Sequence, residues 1–75
     1  MKPSIGRIVI HHGVQSNGEQ RHPAIITRVW SDELVNLTVF PDNGFPISQT
    51  SQSLIDPNEG LIGWYWPNKV EEVKT

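Results

Sequence analysis

Three short runs of β-branched and aromatic residues constrain the fold of this chain more than any other feature. The runs cover residues 5–11, 24–30 and 34–40. Residues of these types favour extended strands. In the third run, apolar and polar residues alternate from Val35 to Val39, the period of a half-buried strand. In the second run, the same alternation predicts that Arg28 and Trp30 share a face with Ile26.

Turn-forming residues separate these runs and delimit two weaker strands. Residues 12–23 form a long polar connection that contains the turn pair Asn17 and Gly18. Residues 31–33 are short enough for a hairpin between the second and third strands. The two further strands are expected at residues 48–53, running on to Ile55, and at residues 61–66. No stretch predicts a helix longer than a turn.

The size of the chain leaves room for a single core. A protein of 75 residues buries roughly 60% of its unfolded surface, which places it at the marginal end of stability. The order strand, long loop, three-strand meander, turn and short last strand predicts an all-β fold, a small five-stranded SH3-like barrel. We expect one domain over residues 1–75. An OB-like barrel is the alternative, but it usually needs more residues and a helix.

The charge balance narrows the classes of partner. Eight acidic and six basic residues give a net charge of −2, which argues against duplex nucleic acid, since binding many phosphates needs a basic face. A small anionic ligand needs only one or two arginines and stays open. The chain has no cysteine, hence no disulfide and no cysteine–zinc site. No apolar run approaches the roughly 20 residues of a membrane span, so we expect a soluble, cytoplasmic protein without a membrane partner.

The densest aromatic signal lies near the end of the chain, where Trp64, Tyr65 and Trp66 precede a proline. The two tryptophans are two residues apart and project from one face of an extended chain, whereas the tyrosine projects from the other. One interpretation is a stacking platform for a base or another flat ring. The alternative is that the indoles fill one end of a small barrel, because they bury more area than any other side chain.

Two arginines and an asparagine are candidates for polar contacts with a ligand. Arg7 and Arg28 lie inside predicted strands, where a guanidinium can offer a planar fork to two phosphate oxygens. The alternative is a solvated arginine whose stem lies on the sheet. Asn36 lies on the polar face of the third strand, where its amide could contact the edge of a base. An ordinary exposed strand residue is the alternative for Asn36.

The histidines do not predict a metal centre. His11 and His12 are adjacent, so in a strand they face opposite sides and do not easily share a metal ion. We expect no metal and no cofactor, and we assign His11 to the polar edge of a ligand. The chain shows no serine-centred elbow and no phosphate-cradling glycine loop. These features favour a binding protein over an enzyme, with a histidine-assisted phosphodiesterase as the catalytic alternative.

Four blocks of sequence, taken in order, resemble a family of small phage-encoded and prophage-encoded accessory proteins. The first is Ile-Gly-Arg-Ile-Val at residues 5–9, with His11 close behind, and the last is Trp-Tyr-Trp-Pro at residues 64–67. The two internal blocks are residues 23–27 with Val29, and residues 35–40 followed by Asp42 and Gly44. The family pattern ends in Gly-Thr-Trp-His-Trp-Pro. This chain has Ile-Gly-Trp-Tyr-Trp-Pro there, without the threonine and the intervening histidine.

The resemblance implies a short phage protein that acts in the host cytoplasm. One role of small phage proteins is to sequester a nucleotide signal of host immunity, such as a cyclic oligonucleotide or a cyclic ADP-ribose isomer, and to hold it intact. Paired tryptophans for bases and strand arginines for phosphates favour this role. The expected ligand-binding residues are Arg7, His11, Arg28, Asn36, Trp64 and Trp66.

The binding free energy that one surface can supply predicts more than one copy of the chain around the ligand. A base stacked on an aromatic side chain contributes about 1–3 kcal/mol, and a charged hydrogen bond about 1.5–3 kcal/mol. Micromolar sequestration requires about 8 kcal/mol after ordering costs. One shallow face falls short of that, so we expect a homo-oligomer with the ligand near the subunit interface.

Two other classes of function stay open at this point. The first is a structural or interaction protein, either a virion accessory piece or an adaptor that binds a host protein. The second is a binder of single-stranded nucleic acid. The acidic balance weakens the second, because such proteins combine stacking residues with a positive groove.

Overall fold

Five antiparallel strands form one strongly curled sheet in the computed structural model, which describes residues 2–67. The strands are β1 (Ile8–Ser16), β2 (Glu19–Val29), β3 (Leu34–Val39), β4 (Ile47–Ser53) and β5 (Gly63–Tyr65). Their order across the sheet is β4-β3-β2-β1-β5. The expected all-β fold, a small SH3-like barrel, is confirmed. Residues 2–67 contain no helix that is long and apolar enough to cross a membrane.

The end of β4 meets β5 and thereby brings the two edges of the curled sheet together. Leu54 forms a parallel bridge with Trp64, and the Ile55 amide donates a hydrogen bond to the Trp64 carbonyl at 2.9 Å. Gly63 lies at the closest point of this junction. A Cβ atom at Gly63 would collide with the Ser53 carbonyl oxygen and the Ile55 side chain. The junction therefore requires glycine at position 63.

Every second residue of the central strands enters the core. The buried apolar residues of β1, β2 and β3 are Val9, Ala24, Ile26, Val35, Leu37 and Val39. Trp64 and Trp66 complete the cluster from the last strand and the residue after it. The predicted division of β3, with Asn36 and Thr38 opposite the apolar residues, is confirmed.

The long connection predicted over residues 12–23 is wrong, because β1 and β2 continue through most of it. The two strands meet in a two-residue hairpin in which Ser16 pairs with Glu19. Asn17 and Gly18 adopt φ angles of 55° and 79°, and positive φ at both central positions is typical of a type I′ turn. Sequence alternation predicted both strands but missed their extension to Ser16 and from Glu19, because the residues near the turn are mostly polar on both faces.

Hydrogen bonds, rather than apolar burial, hold the tip of this hairpin in place. The Ser16 hydroxyl donates to the Asn43 carbonyl at 3.0 Å and accepts from the Asn43 amide at 3.1 Å. The Asn17 side-chain amide donates to the Asp42 carboxylate at 2.7 Å. The β1–β2 hairpin is thus tied to the connection between β3 and β4.

A bulge in β2 reverses the alternation that was predicted for this strand. Ile26 pairs with Leu37, but Arg28 pairs with Asn36, so Thr27 is the extra residue. A bulge of this kind exchanges the faces of the residues that follow it. Arg28 therefore lies on the outer face, opposite to Ile26, and Val29 packs against the core instead. The prediction that Arg28 shares the face of Ile26 is wrong for this reason.

Candidate functional site

Arg28, Trp30 and Asn36 lie together on the outer face of the sheet, and we call them the outer-face cluster. Arg28 and Asn36 are direct cross-strand partners on β2 and β3. Trp30 follows Arg28 by two residues, immediately after β2 ends at Val29. The β2–β3 hairpin begins there, because the Trp30 and Ser31 amides both donate to the Leu34 carbonyl. The bulge and the hairpin together bring the three side chains to one place.

The Arg28 guanidinium stacks on the Trp30 indole. Its central carbon lies 4.2 Å from the centre of the ring, well inside the roughly 6 Å range of a cation–π interaction. Trp30 nevertheless stays 53% exposed. A large aromatic surface therefore faces solvent beside a positive charge, which is a suitable combination for a flat anionic ligand.

The Asn36 side chain fixes the indole and leaves its own amide group for other partners. Its Oδ1 accepts hydrogen bonds from Trp30 Nε1 at 3.0 Å and from the Ser51 amide at 2.8 Å. Two bonds use both lone pairs of that oxygen. Ser51 has a φ of 53° at an irregularity of β4, so Asn36 also stabilises this distortion. Within residues 2–67, the Asn36 amide nitrogen donates no hydrogen bond.

Arg28 forms no salt bridge with a carboxylate of residues 2–67. Over residues 2–67 the salt bridge is between Arg21 Nε and Glu19 Oε2, at 2.9 Å. Hydrogen bonds from Arg21 hold the pKa of the Glu19 carboxyl at about 2. Arg28 is instead in contact with an aromatic ring, so the donors at the edge of its guanidinium stay available for an anion.

Trp64 and Trp66, the predicted stacking pair, both lie in the core. They are 0% and 8% exposed, and their rings meet edge to face with centroids 5.2 Å apart and planes at 82°. Trp64 Nε1 also donates to the Glu33 carbonyl at 3.1 Å. Neither indole presents an open ring face, so the geometry matches the alternative in which the pair fills the barrel. Their role in ligand stacking stays a prediction without support from the fold.

Arg7 contacts a different tryptophan from Arg28. Its guanidinium carbon lies 5.5 Å from the ring centre of Trp66, and the side chain is exposed. Arg7 therefore lies against Trp66, one member of the buried indole pair. The structure does not bring Arg7 into the outer-face cluster.

His11 is a buried structural residue. It is 1% exposed, and its Nε2 donates to Gln52 Oε1 at 2.8 Å when the amide is oriented as an acceptor. This bond links β1 to β4 across the barrel. Its Nδ1 is buried without a partner. Burial lowers the pKa of His11 and the Gln52 hydrogen bond opposes this effect, so the ring is neutral at pH 7.

The other two histidines, unlike His11, each make a hydrogen bond to a backbone carbonyl. His12 Nδ1 donates to the Leu61 carbonyl and His22 Nε2 to the Val14 carbonyl, each at 2.8 Å. The expectation that His11 and His12 face opposite sides is confirmed by the pairing of β1 with its neighbours. Residues 2–67 hold no group of three or more side chains arranged to bind a metal ion.

Sequence reasoning did not select Trp30, although the signal was present. An arginine and a tryptophan two residues apart, at the end of a strand, project from the same face. The more conspicuous pair at positions 64 and 66 drew the assignment because tryptophans are concentrated there. Spacing alone does not tell which tryptophan is enclosed by the fold.

Comparison with protein-family models, curated proteins and solved structures finds no match to this chain. The assignment of function therefore depends on the geometry of the outer-face cluster.

Proposed function

We propose that this chain is a non-catalytic binding protein for a nucleotide-type ligand, meaning an anion that carries a flat ring. The stack of Arg28 on a half-exposed Trp30 is the observation that supports the proposal. It places a ring surface and a positive charge side by side on the outer face. A nucleotide carries the two complementary groups, a base and a phosphate, on one small molecule.

Each member of the cluster has a distinct part in this proposal. The base stacks on the open part of the Trp30 ring, and the phosphate accepts hydrogen bonds from the Arg28 guanidinium. Asn36 donates from its amide nitrogen to a phosphate oxygen or to an acceptor on the base. Because Asn36 Oδ1 already holds the indole, the platform is fixed before the ligand arrives, which lowers the ordering cost of binding.

The proposed assembly is a homo-oligomer in which two clusters hold one ligand. One stacked base and one charged hydrogen bond contribute about 2.5–6 kcal/mol before ordering costs. That is less than the 8 kcal/mol of a micromolar complex. The cluster also lies on an open sheet face, so a single copy covers only one side of a ligand. A second copy supplies the other side and doubles the contacts.

The finer form of the proposal is sequestration of a host immune signal by a phage protein in the host cytoplasm. A cyclic oligonucleotide or a cyclic ADP-ribose isomer would be bound and held intact. The resemblance in four sequence blocks supports this form, and a cyclic dinucleotide with two bases and two phosphates suits two facing clusters. Other molecules that carry a base and a phosphate, such as single-stranded DNA, offer the same groups. The test below compares their binding with that of the cyclic nucleotides.

The test is calorimetric titration of the protein with cyclic dinucleotides, cyclic trinucleotides, cyclic ADP-ribose isomers and short single-stranded DNA. We expect one of the cyclic ligands to bind the wild type. R28A and W30A should each weaken that binding at least tenfold. R21A and F45A are matched controls, because Arg21 is an exposed arginine paired with Glu19 and Phe45 is 88% exposed. Both controls should bind as the wild type does.

Two further measurements test whether the bound ligand stays intact and whether the complex contains more than one copy of the chain. After the complex is heated, chromatography should return the ligand intact, whereas a cleaved product would establish an enzyme. Light scattering of the complex should give a mass above one copy, and a ligand-bound monomer would contradict the two-cluster assembly. The absence of binding by every member of the panel would contradict the proposed function itself.

A further inference from the structure

The segment between β4 and β5 forms a wide groove on the surface of the described chain. Its volume is about 1060 Å³, slightly beyond the range of roughly 300–1,000 Å³ that is usual for small-molecule sites. Residues 53–62 form most of its lining, and Tyr65 and Trp66 contribute the rest. It shares no residue with the outer-face cluster, so its role is a separate question.

Hydrogen bonds at both ends hold the walls of this groove in place. At one end, the Leu54 amide donates to the Glu33 carbonyl and the Ile55 amide to the Trp64 carbonyl, both at 2.9 Å. At the other end, the Leu61 carbonyl accepts from His12 Nδ1 at 2.8 Å. Between them, Asp56 closes a turn by accepting from the Asn58 and Glu59 amides. The groove is therefore formed before any partner binds.

Apolar side chains are left uncovered along this groove. Leu54, Leu61 and Ile62 are 36%, 54% and 69% exposed, and all three line it. Large apolar side chains that gather on one surface of a small protein indicate a place where another molecule binds. Here they lie within about nine residues of one another on an anchored segment.

Within residues 2–67, the charges that line the groove all have one sign. Asp56 and Glu59 are both exposed and both line it, and no lysine, arginine or histidine of these residues does. Neither carboxylate forms a salt bridge with residues 2–67. An anionic nucleotide would be repelled at this surface, whereas an apolar segment with a positive charge would be complementary to it.

We propose that the groove is a docking site for a protein partner, which it binds through an apolar segment that carries lysine or arginine. The apolar side chains of the segment would cover Leu54, Leu61 and Ile62. Its positive charge would lie against Asp56 and Glu59. The chain would thus have two surfaces of opposite charge, with the outer-face cluster for an anion and the groove for a cationic segment.

The test begins with a random heptapeptide library that is selected on the full chain. Peptides that also bind the D56K/E59K variant are removed by counter-selection. We expect the recovered peptides to combine apolar residues with lysine or arginine. Recovery of acidic peptides, of purely polar peptides, or of none would overturn the proposal.

The most enriched peptide is then synthesised and titrated into the ¹⁵N-labelled protein. Its largest amide shifts should fall on residues 54–62, and shifts centred on any other part of the chain would overturn the proposal. The D56N/E59Q variant keeps the shape of both side chains and the acceptor of the Asp56 turn. It should weaken binding about fivefold to tenfold, as expected for two exposed charge pairs.

Further variants distinguish a peptide partner from a second copy of the chain in the groove. They also distinguish the groove from the proposed nucleotide site. L61A should weaken the peptide about tenfold through lost apolar contact, and W30A should leave its affinity unchanged. Loss of peptide binding in W30A would overturn the separate site. If Leu54, Leu61 and Ile62 were instead covered by a second copy of the chain, L61A would convert a dimer to a monomer in sedimentation, and that outcome would also overturn the proposal. None of these measurements depends on nucleotide binding, so they test the docking site even if the protein binds no nucleotide.

Discussion

The guanidinium of Arg28 lies 4.2 Å from the ring centre of Trp30 on the outer face of the sheet. This contact exists because a bulge at Thr27 turns Arg28 away from the core and onto the side from which Trp30 projects. The same bulge makes Asn36 the cross-strand partner of Arg28. One irregularity in β2 therefore assembles all three members of the outer-face cluster.

The contact itself should be measurable in the absence of any ligand. We expect R28A to lower the free energy of unfolding by about 0.5–1 kcal/mol, the usual value of an exposed cation–π pair. Urea unfolding of R28A, W30A and the double variant closes a double-mutant cycle. A favourable coupling energy between the two positions is expected. A coupling energy of zero would contradict the stack.

Asn36 should matter to stability more than its partial exposure suggests. N36A leaves both Trp30 Nε1 and the Ser51 amide without their acceptor, and we expect a cost of about 1–3 kcal/mol in urea unfolding. N36D retains an acceptor oxygen at the same position and should lose less. Equal losses in the two variants would show that the two hydrogen bonds do not account for the effect.

Residue patterns predicted the strands that have one apolar and one polar face, and little beyond them. Alternation placed Val35, Leu37 and Val39 in the core and Asn36 outside, as observed. It failed at Arg28 because nothing in the sequence marks a bulge at Thr27. It also did not decide whether Trp64 is enclosed, because enclosure depends on where β4 meets β5, a contact between segments distant in sequence.

The β4–β5 junction should tolerate no side chain at position 63. G63A places a Cβ against the Ser53 carbonyl oxygen and the Ile55 side chain, and we expect a loss of about 1–3 kcal/mol or more. Gly60 is the matched control, because its φ is +71° and no atom lies within 4 Å of the added Cβ. G60A should cost only about 1 kcal/mol, from backbone strain. If thermal unfolding shows that G60A is less stable than G63A, the described junction is contradicted.

Acid should weaken the fold through His11. Burial lowers its pKa in the folded protein below the ordinary 6.5, so the unfolded chain binds a proton first as the pH falls. The stability contributed by neutral His11 is therefore complete above about pH 6.5 and is lost as the pH falls toward the folded pKa. The lowered pKa of Glu19 acts between 4.5 and about 2, below the interval from pH 7 to pH 5 in which His11 is tested.

The comparison that isolates His11 is with H11Q, whose amide can still donate to Gln52. We expect the free energy of unfolding of the wild type, relative to H11Q, to fall between pH 7 and pH 5. Urea unfolding at a series of pH values measures this difference. Parallel pH profiles for the two proteins would show that His11 is not the group that titrates.

The central claim is that a nucleotide-type ligand contacts Trp30 and not the buried pair Trp64 and Trp66. Its most direct test is ¹⁹F NMR of the protein labelled with 5-fluorotryptophan, since the chain has three tryptophans. The W30F and W66F variants assign the three signals. During titration with the cyclic nucleotide panel, we predict that the Trp30 signal shifts and the other two stay near their starting positions. A shift of the Trp64 or Trp66 signal without one of Trp30, or no shift with any member of the panel, would contradict the account.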